Sequence, residues 1–103
     1  MEGEFSGFDW DEGNQEKCQK HGVSVAEIEA LLLDSPRVAP DLKHAHLEDR
    51  LIAVGRTAEG RPLFVAFTVR TRLGSPFIRP VSARYMHEKE IRRYEAQSSD
   101  NDD

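Results

Sequence analysis

The sequence predicts an α+β fold in a single domain, with a small antiparallel sheet of about four to five strands, two N-terminal helices and one C-terminal helix. Three observations support this prediction. Residues 24–33 carry apolar side chains at helical spacing, residues 50–82 contain three runs rich in β-branched and aromatic residues, and residues 87–96 contain neither Pro nor Gly. The 103 residues suffice for one core. We expect residues 1–97 to form the domain and the acidic residues 98–103 to be a disordered tail.

The N-terminal elements are predicted to be a short strand and a first helix. Aromatic and polar side chains mix over residues 3–10, which is typical of a short strand. Asp11 is placed to cap a helix over residues 14–20, and Gly22 ends that helix because glycine tolerates the left-handed conformation found at helix ends.

The second helix is the most clearly marked element of the sequence. It begins at Ser24, whose hydroxyl together with the carboxylate of Glu27 satisfies exposed amide donors at a helix start. Pro36 ends the apolar pattern, because proline restricts the residue before it. Residues 37–42 then predict a brief edge strand, and the polar residues 43–49 predict a turn or loop.

The centre of the sheet is expected in the second half of the chain. Residues 50–56 and 62–69 are two β-rich runs joined by a hairpin-like connector at residues 57–61. A third run, residues 77–82, follows a connector at residues 71–76. The predicted order of elements is therefore β-α-α-β-β-β-β-α.

Charge is distributed unevenly along the chain. The net charge is −5, but residues 1–49 carry −8, residues 50–94 carry +7 and residues 95–103 carry −4. Such asymmetry indicates a surface that binds a polyanion, or, equally well by composition alone, an ordinary solvated surface.

Several classes of protein are excluded by composition. No apolar run approaches the roughly 20 residues that a membrane helix needs, and the acidic N-terminus lacks the features of a secretory signal. Cys18 is the single cysteine, so no internal disulfide can form. We therefore expect a cytoplasmic protein with no membrane contact.

Side chains suited to RNA chemistry collect where the last strand meets the last helix. Residues at helical spacing place an imidazole, a carboxylate and a phenol on one helix face, and arginines arrive from the adjoining strand. Cleavage of RNA without a metal needs a base for the ribose 2′-OH, cations for the phosphorane and an acid for the departing oxygen. The same pattern also fits a solvated helix face. The group comprises Arg79, Arg84, Tyr85, His87, Glu90 and Tyr94.

A metal site is the alternative for the histidines and the cysteine. Thiolate and imidazole are the usual ligands of zinc, and Cys18, His21, His44, His46 and His87 supply them. His44 and His46 lie in the predicted loop and would project irregularly, and no second pair of ligands has a familiar spacing. We therefore expect neither a metal nor another cofactor.

Three blocks of sequence, in order, resemble the BrnT toxin family from residue 8 to about residue 95. The first reads FDWDEGN followed by KHGVS, and the second runs from EDR through AVGRT to RPL. The third reads IRPVSAR and continues with EKE and a tyrosine, Tyr94, like the strand end and following helix of that family.

The resemblance implies a RelE-like ribonuclease fold and a toxin that cleaves RNA and arrests translation. It also implies a BrnA-type antitoxin that neutralises the toxin, and contacts to operator DNA made only through that antitoxin. Within the RNA site, Arg84 and Arg56 are expected to stabilise the phosphate, Glu90 or His87 to act as base, and Tyr94 to position substrate or act as acid. The family likeness places these residues in or beside the site: Lys20, His21, Arg56, Arg79, Arg84, Glu90 and Tyr94.

Two other functions remain open from the sequence. A catalytically inactive module of the same fold could use its basic sheet face to bind a protein partner. A DNA-binding regulator is less well supported, because no helix combines clustered basic residues with helix-turn-helix spacing. Convergence of Arg56, Arg84, His87 and Glu90 in one site favours the enzyme, and their dispersal favours the module.

Overall fold

The computed structural model describes residues 5–44 and 49–101. Residues 45–48, which belong to the predicted loop and include His46, lie outside the described residues. The elements follow the predicted order, with a short 3-10 turn added after the second strand. They are β1 (Gly7–Phe8), α1 (Glu12–Gln19), α2 (Val25–Leu33), β2 (Arg37–Pro40), the 3-10 turn (Leu42–His44), β3 (Leu51–Arg56), β4 (Pro62–Arg72), β5 (Ser75–Tyr85) and α3 (Glu88–Asn101).

The α+β fold class is confirmed, and the sheet has five strands in the order β1-β5-β4-β3-β2. One feature of the prediction is wrong, because the sheet is mixed rather than antiparallel. The β1 strand runs parallel to β5, with Gly7 beside Phe77 and Phe8 beside Ile78. The first strand of the chain pairs with the last, a long-range contact that local sequence patterns do not encode.

The central hairpin is longer than predicted. The connector expected at residues 71–76 shrinks to a two-residue turn, and both flanking strands have 11 residues. Leu73 and Gly74 take φ values of 53° and 81°, and positive φ at both central positions is the geometry of a tight hairpin turn that matches strand twist. Gly74 adopts positive φ readily because it has no Cβ. Leu73 adopts it as well, although its Cβ makes this conformation less favourable.

Both predicted helix starts are confirmed by their caps. The Asp11 carboxylate accepts from the amide of Asn14, and the Asn14 side chain accepts in return from the amide of Asp11. Ser24 and Glu27 make the corresponding reciprocal pair at the start of α2. Gly22, at φ +90°, lies in the turn between the two helices, as its predicted helix-ending role requires.

The sheet carries helices on both faces. On one face α1 and α2 bury the larger core, in which Ile28 and Leu31 pack near Phe67. On the other face α3 covers a smaller cluster built from Val54, Met86 and Ile91. Because side chains alternate along a strand, β4 contributes to both cores. The consequence for function is that α3 lies directly over the side of the sheet that carries the predicted catalytic group.

The last helix runs through Asn101, past residue 96 where the prediction ended it. Residues 98–101 therefore continue α3, and the domain boundary at residue 97 stays a prediction. None of the helices in the described parts of the chain is long and apolar enough to cross a bilayer.

Candidate functional site

The predicted catalytic residues meet at the joint between β5 and α3. Arg84 lies one residue from the end of β5, and Glu90 lies in the first turn of α3. A two-residue link, Met86 and His87, reverses the chain between them, and the amide of Met86 donates to the Pro62 carbonyl to hold the link against β4. This short connection forces the end of β5 and the first turn of α3 together.

Arg84 and Glu90 form a two-point ion pair. One terminal nitrogen of the guanidinium lies 3.2 Å from Oε1 and the other 2.8 Å from Oε2, the bidentate geometry in which arginine binds carboxylates and phosphates. The guanidinium also stacks on the Phe64 ring, 4.5 Å from its centroid. The pair is therefore held from two sides while the Arg84 side chain remains 43% exposed.

The pairing changes the protonation of both partners. Hydrogen bonds from Arg84 lower the pKa of Glu90, so this carboxylate stays ionised below the ordinary glutamate range. The pKa of Arg84 is raised, chiefly by its hydrogen bonds to Glu90 and to a smaller extent by the neighbouring phenol of Tyr94. The site therefore contains a fixed cation and a fixed anion at neutral pH.

Arg84 keeps donors that Glu90 does not use. A guanidinium has five N–H groups, and two of them bond the carboxylate. Within the described part of the chain the other three make no hydrogen bond to protein. An incoming phosphate can therefore bind Arg84 without breaking its pair with Glu90.

Arg56 is held differently, because all five of its N–H groups are used. Its side chain makes two hydrogen bonds to Glu88, two to Glu95 and one to the carbonyl of Gly60. The shortest of these joins a terminal nitrogen to Glu88 Oε2 at 2.6 Å. The carboxylates that bind Arg56 both come from α3. Arg56 links the end of β3 to two successive turns of that helix.

His87 precedes α3 and Tyr94 lies within it. The His87 carbonyl accepts from the amides of Glu90 and Ile91, so His87 caps the start of α3 with its side chain exposed. Tyr94, one turn beyond Glu90, is half-buried against the Val54, Met86 and Ile91 cluster. The imidazole is thus open to solvent, and the phenol is fixed by packing.

Arg79 belongs to a separate group of charges. Its guanidinium lies 2.9 Å from Asp11 and 3.6 Å from Asp9, where it ties β5 to the start of α1. Five positions separate it from Arg84 along β5, which at about 3.3 Å per residue is roughly 16 Å. The pKa of Asp11 is lowered, first by the Asn14 amide and then by Arg79. Arg79 is therefore not brought to the Arg84–Glu90 pair.

Lys20 and His21 occupy the turn between α1 and α2, on the face of the sheet opposite α3. Both side chains are exposed. The next residue, Gly22, places its carbonyl 3.5 Å from the Tyr85 hydroxyl at the end of β5. The turn therefore lies at the same end of the sheet as Arg84, although across the sheet from it.

The sequence prediction missed the residues that orient the site. Glu88 and Glu95 were not singled out, yet they bind Arg56, and Phe64 was assigned only to a strand although its ring supports Arg84. The seven-residue spacing of Glu88 and Glu95 on one helix face was the available signal. The arginine that they would meet could not be identified, because it lies 39 residues from Glu95.

Of the zinc ligands considered from the sequence, His46 lies outside the described residues. Cys18 lies on the buried side of α1, where loss of solvent raises the pKa of its thiol to about 11. Among the residues that the structure describes, no three His, Cys, Asp or Glu side chains lie close enough together to hold a metal ion.

This arrangement can support phosphoryl chemistry on RNA. Glu90 offers an ionised carboxylate as a base, Arg84 offers unpaired N–H donors for a phosphate oxygen, and His87, just before α3, offers an exposed imidazole. These are the base, electrostatic and acid functions that 2′-OH attack on a phosphodiester needs.

Comparison with known proteins identifies one family. A family model described as the ribonuclease toxin BrnT of type II toxin–antitoxin systems matches residues 10–90. That interval begins two residues after β1 and ends at Glu90. No match to the chain was found among curated proteins.

Proposed function

Since the chain belongs to the BrnT family of ribonuclease toxins of type II toxin–antitoxin systems, we propose that it is an endoribonuclease that needs no metal ion, cleaves RNA and thereby inhibits translation. A BrnA-type antitoxin neutralises it by binding, and the pair contacts operator DNA through the antitoxin. The family membership supports the toxin assignment, and the geometry at the β5–α3 joint supports the chemistry.

The observation that carries the proposal is the pair formed by Arg84 and Glu90. It combines an ionised carboxylate with a guanidinium that has three N–H groups to spare. The 43% exposure of Arg84 leaves room for a phosphodiester to approach.

The reaction follows from these positions. Glu90 takes the proton of the ribose 2′-OH, and the 2′-oxygen attacks phosphorus to form a 2′,3′-cyclic phosphate. Arg84 stabilises the negative charge that develops on the phosphorane oxygens. His87 gives a proton to the 5′-oxygen, which leaves as a hydroxyl, while Tyr94 holds the ribose or the base in position.

Arg56 has a supporting role in this mechanism. Its five N–H groups are occupied by α3 carboxylates and Gly60, so it is a positioning residue that holds α3 on the sheet and keeps Glu90 beside Arg84. This differs from the direct phosphate contact that the sequence prediction gave it. Substitution of Arg56 therefore acts through the placement of α3.

Growth arrest on induced expression tests the proposal. We expect the wild-type chain to stop growth, and Arg84→Ala and Glu90→Ala to permit it, with circular dichroism showing that each variant is folded. Arg70→Ala is the matched control, because Arg70 is an exposed arginine near the far end of β4 from Arg84 and Glu90. If the wild type is harmless and the purified chain leaves RNA intact, catalysis is excluded. The protein is then a catalytically inactive module that binds a protein partner.

A further inference from the structure

Arg61 and Tyr85 form a stacked pair on the side of the sheet opposite the Arg84–Glu90 pair. The Arg61 guanidinium lies 3.4 Å from the centroid of the Tyr85 ring, well within the range of a cation–π contact. Arg61 is exposed at the end of the β3–β4 hairpin, and Tyr85 ends β5 immediately after Arg84. We refer to these two residues as the Arg61–Tyr85 stack.

The Arg61 guanidinium lies over the Tyr85 ring and forms no ion pair with a carboxylate of the described residues, although the nearby Glu27 carboxylate interacts with its charge. Other arginines of the described ranges do pair with Asp or Glu. The paired arginines are Arg56, Arg72, Arg79, Arg84 and Arg92. An aromatic ring orders a guanidinium without using its N–H groups, so all five donors of Arg61 remain able to bind a phosphate.

A chain of contacts holds the stack in place. The Tyr85 hydroxyl donates to Glu27 at 2.7 Å, and Glu27 is itself fixed by the Ser24 amide at the start of α2. These hydrogen bonds, first that of Tyr85 and then those of Ser24, lower the pKa of Glu27 and keep it ionised. The ring is therefore anchored before any ligand arrives, which reduces the entropy cost of binding.

The backbone of Arg61 is anchored as well. Its amide donates to the Thr57 hydroxyl at 3.1 Å, and its carbonyl accepts from the Thr57 amide at 2.9 Å. The same hairpin presents the Gly60 carbonyl to Arg56 at 3.2 Å. The hairpin thus connects the stack on one face of the sheet to the Arg56 contacts with α3 on the other.

The stack also lies beside the turn that carries Lys20 and His21. The Gly22 carbonyl is 3.5 Å from the Tyr85 hydroxyl, and the two basic residues immediately precede it with exposed side chains. The fold therefore gathers one guanidinium that forms no ion pair among the described residues, one aromatic ring and two further basic side chains around the end of β5. Phosphate-binding cations interleaved with a stacking surface are what single-stranded nucleic acid requires.

We propose that the Arg61–Tyr85 stack, with Lys20 and His21 at its rim, is a second RNA-binding subsite that takes single-stranded RNA beyond the scissile phosphate. Arg61 binds a phosphate through its N–H groups, and the outer face of its guanidinium plane stacks on a base. RNA bound at Arg84 reaches the subsite by passing around the end of β5, where Arg84 and Tyr85 are consecutive residues. The inference rests on the proposed ribonuclease function.

The test is binding of RNA oligonucleotides that carry 2′-O-methyl groups and so cannot be cleaved. Affinity is measured by fluorescence anisotropy at several salt concentrations, with oligonucleotides of two, four and eight residues. The variants are Arg61→Ala, Arg61→Lys and the matched control Arg70→Ala, which removes an exposed arginine near the far end of β4. At about 3.3 Å per residue, Arg70 is roughly 25–30 Å from the stack.

We expect Arg61→Ala to weaken binding of the eight-residue RNA about tenfold and to lower the slope of log Kd against log salt by about 0.7, as the loss of one phosphate contact to a single strand requires. The two-residue RNA should bind equally well to the wild type and to Arg61→Ala. Arg61→Lys should recover the salt slope but only part of the affinity, because lysine cannot stack.

Two results distinguish failure of the proposed subsite from failure of the proposed ribonuclease function. If Arg61→Ala and Arg70→Ala weaken binding equally at every length, the subsite is excluded while the ribonuclease function stands. If the wild-type chain binds none of the oligonucleotides, the proposed function itself is excluded and the subsite with it.

Discussion

The guanidinium of Arg84 and the carboxylate of Glu90 make a two-point ion pair, at 3.2 and 2.8 Å, across the joint where the last strand passes into the last helix. The residues are six positions apart, and the two-residue link between β5 and α3 brings them face to face. The contact that we propose as base and phosphate ligand therefore also fastens the first turn of α3 to the end of β5.

The pH dependence of cleavage should follow the ionisation of Glu90. Hydrogen bonds from Arg84 lower the pKa of Glu90, so the base is charged above that value and becomes protonated as pH falls through it. We expect the acid limb of kcat/KM to lie below 4.5, the ordinary glutamate value, and to disappear in Glu90→Gln together with most of the activity. Circular dichroism at each pH separates loss of the base from unfolding, and an acid limb near neutral pH would contradict Glu90 as the base.

Arg56→Ala should loosen α3 without abolishing the fold. The change removes hydrogen bonds to Glu88, Glu95 and Gly60 at once, so the helix loses its link to the end of β3. We expect faster amide hydrogen exchange in α3 and a fall in activity smaller than that of Arg84→Ala. Arg92→Ala is the control, because Arg92 contacts Glu88 at 3.6 Å from an exposed position. Unchanged exchange in α3 would argue against the positioning role of Arg56.

Ile91→Ala should destabilise the protein by about 2–5 kcal/mol. Ile91 is 1% exposed and lies at the centre of the small cluster beneath α3, so its truncation leaves a cavity where few neighbours can close it. Urea unfolding followed by circular dichroism measures the loss. Lys89→Ala, at an exposed position two residues earlier on the same helix, should change the free energy of unfolding by no more than about 0.5 kcal/mol. A similar loss in both variants would mean that α3 does not bury Ile91.

Gly55→Ala should also lower stability, because α2 packs tightly on β3 at this position. A Cβ added to Gly55 would lie 2.5 Å from Leu31 Cδ1, so the leucine must move, at a cost of about 1–3 kcal/mol. In the Leu31→Ala background the same glycine substitution should be nearly neutral. Additive effects in this double-mutant cycle would show that Gly55 and Leu31 do not meet.

Elements marked by nearby residues were predictable from the sequence. The capping box of Ser24 and Glu27 fixed the start of α2, and Asp11 fixed the start of α1, because each cap is a contact over three residues. The candidate group of Arg84, His87, Glu90 and Tyr94 was predictable for a similar reason. These residues lie on consecutive parts of the chain, where helical spacing determines which side chains share a face.

Contacts between distant segments could not be predicted in the same way. The parallel pairing of β1 with β5 joins residues about 70 positions apart, and no periodicity encodes it. The hydrogen bonds from the Arg56 guanidinium to Glu88 and Glu95 likewise depend on how α3 crosses β3. Arg79 was grouped with Arg84 because both lie on one strand, but its distance along β5 and its pairing with Asp11 place it elsewhere.

The most direct test of the account is cleavage of a defined RNA by the purified chain in the presence of a metal chelator. We expect the wild type to cut the RNA, to leave a 2′,3′-cyclic phosphate and to fail on a substrate with 2′-deoxyribose at the cut position. Arg84→Ala should be slower by about 10²–10³-fold, while Arg70→Ala should match the wild type. Cleavage that is unaffected by Arg84→Ala, or that requires an added divalent metal ion, would contradict the central claim.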